Sequence, residues 1–377
     1  MYQANLTLSE GIEADSRRWN LVLSDAYGHS LESQNGGVLS LTHSIETTSG
    51  AIVPGDTITQ NINIEIKRES IGDLVLKKGS IISIGYGLYG RSGLVPMGKF
   101  RVYKTSTNLD TVQITLKDFF YGLNEPYRSY LTYPATLGDV VRELGGQLGW
   151  MGYEVYFPFE ELNVIETGSA RSEHLYEPLY DLSGDQIFVR SEGSDIEISA
   201  PPQDCNMAQA LSYYAGLMGF MLTQDRSGRL TCVKPSKGII NTYYRITRGK
   251  AAEPQLYSFD QDICIIGLRC MVDSNTSYIS VDNTLSDPSW HNVVVEFTNP
   301  LMTNDQLKKI AEYYKGLLFR PALIDHILGD PRLDVLDRIE YETAYADTYV
   351  KDLIITSLDY NFDGGLSCNV QSPDLYQ

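Results

Sequence analysis

The sequence is short of positive charge. It sets 30 Lys and Arg against 48 Asp and Glu, for a formal net charge of −18. Phosphate neutralisation needs clustered Lys and Arg, so specific nucleic-acid binding is not expected. Cysteine is sparse: Cys205, Cys232, Cys264, Cys270 and Cys368 make an odd number, and no CxxC occurs, which argues against a disulfide framework and a zinc finger. Cys264 and Cys270 would share a strand face about 20 Å apart, too far to bridge, and read as core thiols in a reducing compartment. The N-terminus, MYQANLTLSEGIEADSRRW, lacks the basic start and apolar run of a signal peptide, and no stretch reaches the roughly eighteen apolar residues of a membrane span. These absences predict a chain made and kept soluble in the cytoplasm, with no membrane insertion.

Catalytic signatures are also missing. There is no Walker loop, HExxH or GxSxG. Gly85, Gly87 and Gly90 match GxGxxG after the strand-like Ile81-Ile82-Ser83-Ile84. A phosphate loop must open a helix, whose N-terminus supplies the amide donors, and here RSGLVPMGKFRV returns to a strand. His29, His43, His174, His291 and His326 lack ligand-like spacing and read as surface or strand histidines. Asp330-Pro331-Arg332-Leu333-Asp334-Val335-Leu336-Asp337 brings three acids together, read as a Pro-bounded turn into the strand Arg338-Ile339-Glu340-Tyr341 with its acids in solvent, rather than as a metal site. No catalytic, cofactor-binding or metal-ligating residue is expected, and the chain is not expected to be an enzyme.

What is present is β-structure, tyrosine and three well-marked helices. At 377 residues the chain should divide into about two to four domains. Its 26 Tyr, against 11 Phe and 3 Trp, suit half-exposed strands and subunit interfaces. Up to about residue 130 apolar and polar residues alternate: Ile58, Ile62, Ile64 and Ile66; Phe100 and Val102; Val112, Ile114 and Leu116. Turn residues separate these runs, as in a barrel or sandwich. Helical spacing then appears in Leu137, Val140, Val141, Leu144 and Leu148, after a cap at Thr136 with Asp139 three residues on. A second helix starts at Asn206 with Gln209 as box partner, and a third spans 303–318 from Thr303 with Gln306. The first two look like copies at an offset of 70, each read as a helix-then-strand unit, with chance matching as the alternative; Gly149, Trp150 and Met151 match Gly219, Phe220 and Met221. The second copy runs into a hairpin turning at Asp225-Arg226-Ser227-Gly228. Between the copies, from Glu154 to Asp204, twelve acids face two arginines, Arg171 and Arg190, and read as solvated surface or a charged duct wall. Alternation resumes in Val293, Val295 and Phe297 and in Ile354, Thr356, Leu358, Tyr360 and Phe362, before a tight turn at Asp363-Gly364-Gly365.

The expected fold class is α+β, mostly β: a barrel over 1–130, an α/β insert over 131–236 and a second barrel over 237–377, with the barrels possible as discontinuous units. Val95-Pro96-Met97-Gly98-Lys99-Phe100 with TVQITLKDFFYGLNEPY, LTYPATLGDVV with DRSGRLTCV, and GDPRLDVLDRIEY with LDYNFDGGLS resemble the baseplate hub proteins of phage tails and phage-derived contractile particles, especially those of Gram-positive hosts. The resemblance is one of pattern and order over most of the chain. It implies two tail-tube-like β-barrels per subunit and a homotrimer forming a pseudo-six-fold ring. That ring would join the six-fold tail tube, or a distal tail protein, to a three-fold central spike. It further implies a duct for DNA, a tape-measure partner, synthesis in the bacterial cytoplasm and residence in a virion or particle tail. Relatives often carry a C-terminal wall-degrading domain, whereas this chain stops at Gln377, so no lytic activity is expected. The alternatives are a receptor- or carbohydrate-binding tail protein, which should expose aromatic platforms although Trp150 reads as core, and a tail-associated cell-wall hydrolase.

Overall fold

The computed structural model describes residues 19–89, 93–156, 179–180, 186–188, 196–235, 244–246, 251–258, 261–342 and 349–373. The architecture is mostly β with three α-helices among the described residues. Seven strands come first: β1 (Trp19–Asp25), β2 (Ser30–Glu32), β3 (Val38–Thr47), β4 (Ile58–Lys67), β5 (Ile81–Leu88), β6 (Leu94–Thr107) and β7 (Thr111–Lys117). Their alternating residues split between two faces: Ile58, Ile62, Ile64 and Ile66 of β4 are all buried.

These strands do not complete their own sheet. The strand Ser357–Phe362 pairs antiparallel with β3, with Tyr360 opposite His43. Through it Leu366–Gln371, Ala322–Leu328 and Ala251–Ser258 extend one 11-stranded sheet, whose far end is β5, β1 and β2. Strands from before residue 130 and after residue 237 therefore share one sheet. Among the described residues its end strands, β2 and Ala251–Ser258, do not pair with each other, so no barrel closes.

A four-stranded sheet centred on Ile263–Met271 holds Ser277–Val281, His291–Thr298 and Leu317–Phe319. The helices are α1 (Leu137–Trp150), α2 (Met207–Leu217) and α3 (Asn304–Tyr314). All three start at the expected caps. The Thr136 hydroxyl accepts from Asp139 N at 3.1 Å, Thr303 accepts from Gln306 N at 3.2 Å, and Asn206 and Gln209 form a full capping box. The third helix is shorter than the expected 303–318. Gly316, at φ +79°, turns the chain, and the strand Leu317–Phe319 follows.

At the end of α2 the backbone after the helix caps Ala215 O and Gly216 O, and later segments donate to two further carbonyls. Asn299 Nδ2 reaches Tyr213 O at 2.7 Å, and Gln306 Nε2 reaches Leu217 O at 2.6 Å. On its other side α2 meets the β3–β4 loop, where Ser212 Oγ donates to Gly55 O at 2.5 Å. A Cβ at Gly55 would lie 2.7 Å from Ser212 O, and φ there is +81°, so only glycine fits.

The two helix-then-strand copies differ after the helix: the second continues into a hairpin, whereas the first makes a single isolated bridge. Met221–Gln224 pairs with Leu230–Val233, and the chain after α1 lies parallel to that hairpin through Val155 and Leu230. Trp150 is a correction: it was expected in the core and is 91% exposed. The buried stripe of α1 runs through Leu144 and Leu148, and two further residues at roughly 100° each carry Trp150 to the opposite side. Its counterpart Phe220 is buried because Gly219, at φ +74°, has already folded the chain back. In the first copy that turn falls at Gly152, at φ +77°, three residues later than the alignment suggests. Of the acidic stretch, the Gln186–Phe188 strand pairs with Leu179–Tyr180, while Arg171, Arg190 and most of the carboxylates lie outside the described residues.

Candidate functional site

A hairpin turn, a strand and a loop far apart in sequence meet at one guanidinium. Arg226 sits in the hairpin turn after α2, and its side chain is only 12% exposed. Its Nη1 donates to Pro331 O at 2.6 Å and to Pro96 O at 3.2 Å, and its Nη2 donates to Leu333 O at 2.8 Å. The Nε is 3.3 Å from Asp334 Oδ2. A planar fork with several donors suits this geometry, because it addresses carbonyls on two separate segments at once. The loop it holds is further tied to the sheet by Tyr360, whose buried hydroxyl lies 2.9 Å from the carbonyls of both Asp330 and Leu333.

The acids of that loop correct an expectation. They were read as solvated, yet Asp330 is fully buried and Asp337 nearly so. Asp330 pairs with Arg332 through Nη2 at 2.8 Å and Nε at 3.0 Å. Asp337 accepts from Asp334 N at 2.8 Å, and burial raises the pKa of its carboxyl. The acids are spent on shaping the turn. The strand expected to follow does so, as Arg338–Glu342.

A buried polar relay runs beneath this junction. Asp118 closes β7 and accepts from Gln60 N at 2.5 Å and from Tyr121 N at 3.3 Å. Gln60 donates through Nε2 to Gln224 O at 3.2 Å, so its Oε1 is left to accept from His43 Nε2 at 3.0 Å. Gln224 donates to Lys99 O at 2.7 Å and accepts from Phe119 N at 2.9 Å. The relay stitches β3, β4, β6 and β7 to the hairpin after α2. Burial pushes Asp118 up to about 6 and His43 down to about 4. His43 is therefore neutral at pH 7, with its proton on Nε2 and Nδ1 bare, between the rings of Phe100 at 5.4 Å and Tyr360 at 6.1 Å.

The glycine motif is structural where it is described. Gly85 and Gly87 lie within β5, and β6 follows. A Cβ at Gly85 would come within 2.6 Å of Leu94. Gly90 lies outside the described residues, as does His174. The five cysteines are buried and are not joined in disulfides. Spacing did not single out Gln60, Asp118, Gln224 or Arg226. The available signal was that VPMGKF, DRSGR, GDPRLDVLD and LDYNF look alike in kind, as turn and edge motifs. The structure brings the first three together at Arg226, and LDYNF joins them through the Tyr360 hydroxyl.

Two outcomes are expected. Arg226→Ala leaves the carbonyls of Pro96, Pro331 and Leu333 short of a donor, and should lower unfolding stability by about 2–4 kcal/mol in a urea titration. The second concerns pH. Asp118 holds its proton more tightly folded than unfolded, so it stabilises at low pH and that contribution is lost as pH rises from about 4 to about 6. His43 binds its proton less tightly folded, so stability rises with pH between about 4 and 6.5. The two slopes oppose. Asp118→Asn should therefore make the stability-versus-pH slope over pH 4–6 more positive than in wild type, and a parallel slope would contradict the assignment.

No protein-family model and no curated protein matches the sequence. Among solved structures, the chain is similar to the 43 kDa tail protein of prophage MuSo2 from Shewanella oneidensis, with TM-score 0.50 and 12% identity over 95% of this chain and 100% of that one. It is also similar to the tail protein from Neisseria meningitidis MC58, with TM-score 0.53 and 9% identity over 95% of this chain and 97% of that one. At such identity the likeness is one of fold, and this chain has the fold of these tail proteins.

Proposed function

We propose that the chain is a structural hub of a phage or phage-like tail baseplate, without enzymatic activity of its own. The observation that supports this is the end-to-end likeness to two tail proteins, over 95% of this chain. Under this reading three copies form a pseudo-six-fold ring. The ring receives a six-fold tail tube or distal tail protein on one side and a trimeric spike on the other, with the tape-measure protein as a further partner. Three copies carry 54 formal negative charges, three times 18, so a duct through the ring would repel DNA and let it pass. The protein would reside in the tail of the particle after synthesis in the bacterial cytoplasm. Light scattering over a protein concentration series tests the assembly. A mass about three times 42.2 kDa is expected, and a monomer at every concentration would count against the ring.

One observation favours a second reading, a receptor- or carbohydrate-binding tail protein. Trp150 is 91% exposed and Tyr130 82% exposed, and flat exposed rings are what a sugar stacks on. Titration with host surface glycan, read by tryptophan fluorescence, should change the signal in wild type and not in Trp150→Ala if that reading holds. No change in wild type leaves the hub alone.

A further inference from the structure

The last third of β6 is an uncovered edge inside the large sheet. β6 is 14 residues long and β5 only 8, and the β5 register ends with Ile81 opposite Arg101. Ser80 and Gly79 extend the cover to Val102 through two hydrogen bonds of 2.8 Å. Tyr103 then forms a bulge, and residues 104–107 pair with β7 alone among the described strands. The hairpin closes with Asn108 N donating to Thr111 O at 2.9 Å, which fixes the alternation. Residues 104 and 106 turn their backbone groups to β7, while Thr105 and Thr107 aim theirs outward. Every residue from 103 to 110 is exposed.

Beside this edge lies a cationic tyrosine face. Tyr103 and Tyr121 meet edge to face at 4.8 Å. Lys78 Nζ is 6.0 Å from the Tyr103 ring and Lys117 Nζ is 6.0 Å from that of Tyr121. Lys104 is exposed on the edge itself. Amphipathic rings on a free strand edge are interface chemistry, and a lysine there disfavours indiscriminate pairing while admitting an acidic partner.

We propose that residues 103–107, with Lys78, Lys117 and Tyr121 beside them, form the surface on which a second copy of this chain docks, adding an extended segment to the free edge. Charge complementarity selects the occupant, since a second copy carries a net charge of −18 against the lysines of this face. Geometry agrees. The same sheet ends in two further strands without an outer partner among the described residues, Ser30–Glu32 and Ala251–Ser258. An interior free edge and a terminal one allow head-to-tail pairing, the kind of contact that closes a ring. The inference rests on the reading that the chain assembles with copies of itself.

Sedimentation velocity on the full chain tests it. Thr105→Pro with Thr107→Pro removes two outward N–H groups and leaves the β6–β7 ladder intact. The expected result is a trimeric wild type and a variant whose association is at least about tenfold weaker, with an unchanged thermal melt. If the proline variant loses its cooperative melt, Lys78→Glu with Lys104→Glu, which alters exposed side chains only, must show the same weakening. A wild-type trimer with equally trimeric, folded variants overturns the docking surface and leaves the hub standing. A wild type that stays monomeric at all concentrations overturns both.

Discussion

The fold depends on satisfying one largely sequestered cation. Arg226 comes from the hairpin after α2, Pro96 from β6, and Pro331 and Leu333 from a loop between late strands. None of these segments could be placed independently. A guanidinium held largely away from water must find acceptors, and the carbonyls around it must find donors, so the three segments have one mutual arrangement in which each is satisfied. Tyr360 repeats the constraint from the sheet side, with its hydroxyl on the same loop. Packing then follows around the fixed point. Tyr86 leans on Tyr360 at 6.5 Å and on Phe362 at 6.4 Å, so the aromatic core of the sheet abuts the junction.

The polar relay beneath the junction answers a second problem. Apolar faces alone would let the hairpin after α2 slide on the sheet, because burial of oil against oil has little directional content. The chain Asp118, Gln60, Gln224 permits one register. The cost is visible in His43, whose Nδ1 lacks a partner in the core. Among the described residues the buried carboxylates are Asp25, Asp118, Asp330 and Asp337, and each is hydrogen-bonded.

Much of the local structure was legible in the sequence. The three caps were found from Thr136, Asn206 and Thr303 because a cap is a local bargain between a side chain and an amide three residues on. The alternation of Leu358, Tyr360 and Phe362 read correctly for the same local reason. Strand order was not legible. Nothing in the alternation of β3 says that its neighbour lies near residue 360, since a pleated edge accepts any partner of matching pattern. Trp150 misled because a repeat at an offset of 70 preserves letters and not the helix end that decides their facing. Asp330 misled because an acid in a turn reads as solvated unless its arginine is seen; Arg332 was two residues away.

The union of β3 with the strand Ser357–Phe362 has a consequence for how the chain is made. A ribosome adding about 5–20 residues per second needs roughly 15–60 s between releasing β3 and releasing its outer neighbour. During that interval the N-terminal strands carry an open flank. Closing so long a loop is slow, because its entropy is lost before the new contacts repay it. The β3 flank of the sheet therefore stays open until residues 357–362 have been made, and any chain shorter than that lacks the strand that covers it.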